Sequence, residues 1–239
     1  MKRFFFCVLA LSVLSVGTVF AQSVVADDNF SSLGSWQAAG GAWKADGRLV
    51  QGDAQAPIAQ IRRQLPQSGV YEMNFTIAYA AGGYKNMQEA LQGKYRAGFG
   101  VHIGIDKASP GRSWGNGKSY LLWVNLDTLV PRNSPHFGLR GQVYQSRSDV
   151  DMTLMDKNNV EIMPITAAIN YLGKIPGQAF PVRLVINTND GEIRVYDPAD
   201  PSYYYYFYLD PKLLKGSWVS LRTSKLSAAF NNFKVTKIR

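Results

Sequence analysis

The stretch from Pro181 to Tyr196 reads PVRLVINTNDGEIRVY. Val182, Leu184 and Ile186 alternate with Arg183, Val185 and Asn187, and Ile193 and Val195 alternate with Glu192, Arg194 and Tyr196. A period of two sends one set to a buried face and the other outward. Between the two runs, Asn189-Asp190-Gly191 supplies residues that tolerate positive φ, as a hairpin loop requires. The stretch therefore predicts a β-hairpin with one wet face.

The same pattern recurs on both sides. Upstream, Tyr71, Met73, Phe75 and Ile77 alternate with Glu72, Asn74 and Thr76. Ala42 to Val50 reads as a hairpin around Asp46-Gly47. Short strands are predicted over 56–65, 99–105, 120–126, 137–144, 150–155 and 160–163. Downstream, 218–223 and 228–235 read as two closing strands. One short helix is predicted in the insertion 80–94, where Met87 and Leu91 are four apart and Gly93 follows. Residues 165–177 read as irregular, punctuated by Pro164 and Pro176. No repeat or linker divides the chain. Many short strands and barely one helix point to an all-β, two-sheet antiparallel jelly-roll sandwich.

The first 21 residues read as a secretory signal peptide: Lys2-Arg3, an apolar run, then Val19-Phe20-Ala21. The mature chain is then expected to run from Gln22 to Arg239 as one domain, exported and periplasmic. Cys7 is the one cysteine, so the mature part has no disulfide, thiolate ligand or thiol nucleophile. Without Lys2 and Arg3 the net charge falls from +9 to +7, which favours anionic partners or serves solubility alone. The basic residues are scattered, which argues against nucleic acid. No later run approaches the roughly 18 apolar residues of a membrane span.

Concanavalin A-like (laminin G-like) sandwiches are resembled by three parts of the chain. These are Trp36 and Trp43 with Asp46-Gly47 and Leu49, the hairpin 182–196, and Leu221-Arg222-Thr223 followed by Ala229-Phe230-Asn231-Asn232-Phe233-Lys234-Val235. These motifs specify the fold better than the function. In size, signal peptide, absent cysteine and the stretch Tyr95 to Asp127, the chain also resembles the flagellar filament outer-layer (sheath) proteins of spirochaetes. That resemblance implies a non-enzymatic coat protein whose partners are the filament core or other sheath proteins. The alternative is a periplasmic or cell-surface carbohydrate-binding module.

Chemistry is argued against by what the residues lack. A glycanase on this fold needs two carboxylates flanking the sugar bond. Glu72, Glu89, Glu161 and Glu192 lie in unrelated elements. His102 and His136 stand alone, without the spacing of a transition-metal site. Asp27, Asp28, Asp149, Asp151, Asp156 and Asn158 offer oxygens for calcium but equally suit turns. No catalytic residue, metal or cofactor is therefore assigned.

Two candidate binding surfaces remain. In the run from Tyr203 to Tyr208 the phase of Phe207 and Leu209 sends Tyr203 and Tyr205 inward and Tyr204, Tyr206 and Tyr208 outward as a row. That row is either a recognition strip or ordinary strand packing. The loop 106–118 carries Arg112, Trp114 and Lys118, a basic patch with one aromatic anchor. It either binds a partner or only closes one end of the sandwich.

Overall fold

A computed structural model describes residues 22–82, 96–108, 113–163, 179–198 and 200–239. The leader 1–21, the insertion with its expected helix, Arg112 and the irregular segment 165–177 lie outside the described residues, in whole or for the most part.

The first strands are β1 (Ser23–Asp28), β2 (Gln37–Gly40), β3 (Trp43–Ala45), β4 (Leu49–Gln51), β5 (Ala59–Gln64) and β6 (Val70–Gly82). The middle of the chain gives β7 (Arg96–Ile105), β8 (Ser119–Asp127), β9 (Gly138–Ser146), β10 (Met152–Leu154) and β11 (Val160–Met163). The last are β12 (Ala179–Asn187), β13 (Glu192–Tyr196), β14 (Tyr204–Tyr208), β15 (Trp218–Ser224) and β16 (Leu226–Lys237). Among the described residues the helical segments are single 3-10 turns, 156–158 and 211–213. No described helix is long and apolar enough to cross a membrane.

The strands form two antiparallel sheets. Sheet A runs β14-β13-β12-β6-β16-β4-β3, with β1 also on β16. Sheet B runs β10-β9-β8-β7-β15-β5-β2, with β11 also on β9. Their inner faces share one core that includes Tyr71, Met73 and Ile77 from sheet A and Val101, Ile103 and Leu221 from sheet B. This is the two-sheet jelly-roll sandwich that the alternation predicts.

The central hairpin forms as expected, pairing Leu184 with Val195 and Ile186 with Ile193. Its loop differs in one respect. Gly191 takes positive φ (85°), whereas Asn189 and Asp190 do not. The Asp190 carboxylate instead accepts from the Glu192 amide (2.9 Å) and from Asn187 Nδ2 (2.8 Å), so side chains brace the turn.

The core is seamed by aromatic rings in sequence: Phe30 to Trp36 (5.9 Å), Trp36 to Phe233 (5.0 Å), Phe233 to Phe75 (6.2 Å), Phe75 to Phe230 (6.1 Å) and Phe230 to Trp43 (6.1 Å). Phe230 and Phe233 are three residues apart, so plain alternation would send one of them out. A break in the β16–β6 register between Asn231 and Lys234, with Asn232 at φ 53°, turns both inward. Asparagine tolerates that left-handed conformation, and the extra residue is a β-bulge.

One assignment needs correcting. Tyr205 is 58% exposed and Tyr203 57%, although both have the inward phase. β14 is the edge strand of sheet A, and Tyr203 and Tyr205 lie on or before its first half. Phe207 packs against the core from this strand, and Leu209 just beyond it is buried.

Candidate functional site

The outer faces of the two sheets differ. Sheet A presents a charged, wet lattice. Arg183 donates to Glu72 (2.7 Å) and stacks over Tyr196 (4.0 Å). Arg194 donates to Glu192 (2.6 Å) and stacks over Tyr204 (5.1 Å), and the Tyr208 hydroxyl donates to Glu192 (3.1 Å). Tyr204, Tyr206 and Tyr208 thus do share one face, knitted to arginines beside them. Each of the two glutamates is tied to an arginine, which leaves neither as a free acid or base. None of the three tyrosines reaches the core. Replacing all three with serine is therefore expected to cost roughly 1.5 kcal/mol or less, on the order of 0.5 for each exposed site. Circular dichroism melts check this, and an unfolded triple variant would show the row to be structural.

Sheet B is dry on the outer face of its central strands. Ser220 and Arg222 of β15, His102 of β7, and Leu121 and Trp123 of β8 are all buried although they point away from the core. Glycines make room for the rings. A Cβ at Gly98 would sit 2.5 Å from the Trp123 indole, and one at Gly100 would sit 2.9 Å from it. The Trp123 ring therefore lies flat across β7, where any larger residue would displace it.

Part of the cover comes from the loop that holds Trp114. Its main chain is clamped to the β9–β10 connection. Gly115 N donates to Asp149 O (2.8 Å), Asn116 N to Ser146 Oγ (2.9 Å) and Ser146 Oγ to Gly117 O (2.8 Å). Asp149 Oδ1 accepts from Gly117 N (3.2 Å), and Asp106 Oδ1 accepts from Lys118 N (2.7 Å). These carboxylates therefore serve loop geometry. Elsewhere, Asp28 accepts from Trp36 Nε1 (2.9 Å) and Arg63 (3.0 Å), and Asp27 pairs with Lys234 (3.5 Å). No group of three or more metal-ligating side chains occurs among the described residues.

The Trp114 indole lies over the guanidinium of Arg222 (4.7 Å to the ring centre) and meets the Tyr144 ring edge-on (6.0 Å). Trp114 is 40% exposed, whereas Arg222 beneath its ring is wholly buried. Trp123 flanks Arg222 at 6.0 Å. Arg222 Nη1 donates to the Trp114 carbonyl (2.6 Å) and meets His102 Nε2 (3.2 Å).

That last contact assigns the histidine tautomer. Arginine only donates, so His102 Nε2 accepts and the ring proton sits on Nδ1. Nδ1 then donates to Ser119 Oγ (3.3 Å), which donates to Asn116 O (2.9 Å). Burial, and then the Arg222 charge, hold the His102 pKa well below the usual histidine value. Burial also lowers Arg222, to about 10, against a smaller opposite pull from Tyr144.

A pH dependence follows with a definite sign. The unfolded chain binds a proton on His102 near the ordinary histidine pKa, and the folded chain does not. Stability is therefore complete above about pH 6.5 and falls as the pH drops below it, by up to about 1.4 kcal/mol per unit while the folded imidazole stays neutral. His102→Gln, which keeps an acceptor for Arg222, should lose less melting temperature between pH 7 and pH 5 than the wild type. Equal losses in the two proteins would show that carboxylates alone set the slope.

The expected site residues thus fall on two faces. Trp114 sits over sheet B, with the exposed Lys118 at the end of its loop. Tyr204, Tyr206 and Tyr208 line the edge of sheet A. The structure does not bring the two sets together. Arg222 was not singled out from sequence, because it lies in the polar phase of an ordinary closing strand. The one available signal was the pair Gly98 and Gly100, which announces that something bulky lies against β7.

Comparison with known proteins speaks to the fold. No protein-family model matches the chain, and no curated protein is significantly similar to it in sequence. A protein of unknown function with a galectin-like fold from Bacillus subtilis superposes with a TM-score of 0.54 at 11% identity, over 91% of this chain and 98% of that one. The CBM2 module of the evolved Dit of Lactobacillus casei BL23 phage J-1 superposes with a TM-score of 0.55 at 7% identity, over 90% of this chain and 95% of that one. A sialidase matches 89% of this chain with a TM-score of 0.46 and 13% identity, and the chain spans 18% of its length. The fold is a concanavalin A-like, galectin-like β-sandwich.

Proposed function

We propose that this chain is a non-catalytic, exported carbohydrate-binding module whose ligand face is the Trp114 side of sheet B. One observation carries the reading. Trp114 is a partly exposed indole on a main chain held by a network of hydrogen bonds, which is what a sugar-stacking platform needs. A main chain that is already held loses little conformational freedom when a ligand settles on the ring it carries. Tyr144 supplies a second aromatic edge, and the polar groups that orient a ligand lie directly beneath. The fold shared with a CBM2 module supports the same reading. Export rests on the basic and apolar leader, with the periplasm as the expected compartment.

Direct binding tests this. The mature protein on a glycan array, followed by titration with the best saccharide, should quench tryptophan fluorescence. A folded protein that binds no saccharide would overturn the reading.

A second reading is favoured by the tyrosine-rich edge of sheet A. An edge strand exposes unpaired backbone groups, and tyrosine is a frequent interface anchor. On this reading the chain is a coat or assembly protein, of the kind found in the periplasmic flagellar filament sheath. The serine triple variant at positions 204, 206 and 208 distinguishes the two. It should retain saccharide binding if the module reading holds, and should lose co-purification with filaments if the coat reading holds.

A further inference from the structure

The geometry points to an anion site under Trp114, built by Arg222 and Arg62, that receives the carboxylate of an acidic saccharide. This deepens the proposed module reading and rests on it. Arg222 spends only Nη1 on the protein, through the Trp114 carbonyl and His102. Its Nε and Nη2 are buried and without a hydrogen-bond partner. Those two atoms form the side-on edge of the guanidinium, where two parallel N–H bonds match the two oxygens of one carboxylate.

Arg62 stands on the neighbouring strand. It faces Ser220, while Arg222 faces Gln60, so the two arginines are diagonal neighbours on the same outer face. Such neighbours are roughly 7–8 Å apart, within reach of long side chains. Arg62 Nε and Nη1 are also buried and unpartnered. The five ion pairs described involve neither arginine. Asp127, an acid on the same sheet, is already held by Arg96 at 2.7 Å.

A buried guanidinium beside a half-buried one, with no counter-ion to either, is costly unless a partner supplies it. The protein supplies none among the described residues, so an incoming anion completes the site. Access lies through Trp114. Its main chain is pinned, but its side chain is the exposed member of the cluster. The indole can turn from the guanidinium onto the sugar ring that carries the carboxylate. A planar carboxylate suits the paired N–H edge, and the stacking surface beside it selects one borne on a ring.

Calorimetric titration of the mature protein tests this with three ligands of equal length and linkage: an oligohexuronate, the neutral oligohexose, and that hexose bearing sulfate esters. The hexuronate should bind at least tenfold tighter than the other two and raise the melting temperature. Arg62→Gln, at a half-buried position, should weaken the hexuronate at least tenfold and leave the neutral sugar unchanged. Arg222→Lys, which keeps the charge but loses the paired N–H edge, should also weaken the hexuronate at least tenfold. Equal binding of the acidic and neutral sugars would overturn the anion site and leave the module reading standing. So would unchanged hexuronate binding by a folded Arg62→Gln, and preference for the sulfated sugar would overturn the carboxylate assignment. Binding of none of the three, with no other saccharide bound on the array, would overturn the site and the module reading together.

Discussion

Phe230→Ala is expected to lower the melting temperature by roughly 6–20 °C, from about 3–5 kcal/mol lost at about 2–4 °C per kcal/mol. Phe230 is wholly buried and touches rings on both sides, Phe75 and Trp43. It also lies just before the β16 bulge, where its backbone pairs with Ile77 of β6 and Leu49 of β4. The cavity therefore opens where three strands of sheet A meet, and the paired backbone limits how far the walls can close. A differential scanning calorimetry trace within about 3 °C of wild type would mean that the site collapses onto the missing ring.

Trp114→Ala is expected to weaken saccharide binding by about 30-fold or more, equivalent to about 2 kcal/mol or more. The fold should survive the change for a specific reason. The contact that holds Arg222 is made by the Trp114 carbonyl, which alanine keeps. What is lost is the indole over the guanidinium, worth about 0.5–2 kcal/mol as a cation–π contact and offset in part by water reaching the charge. Binding and stability should therefore separate, with a large loss in titration and a small shift in the melt. A variant that binds as well as wild type would move the ligand face elsewhere. A variant that unfolds would show the indole to be cover for the sheet rather than a platform.

Much of the fold was legible because alternation is a local code. Tyr71, Met73, Phe75 and Ile77 announced their buried face, and the β12–β13 and β3–β4 hairpins could be placed from their turn residues. The β1 strand was not foreseen, because Ser23 to Asp28 has little apolar pattern and is held by pairing with β16. The inward turn of Phe233 was also hidden, since one left-handed asparagine shifts the phase of everything after it.

The candidate site divides in the same way. Sequence alone placed Trp114 in a glycine-rich loop and spread Glu72, Glu89, Glu161 and Glu192 over unrelated elements. Only the tertiary structure decided that the Trp114 loop folds back over sheet B, and that Arg222 is dry while Tyr205 is wet. The physical reason is common to both. A period of two tells which side of a sheet a residue occupies, but whether that side meets water depends on what another part of the chain lays across it. Arg222 is covered by a ring 108 positions away, and Tyr205 is left bare on the edge strand of its sheet, short of the core that Phe207 reaches.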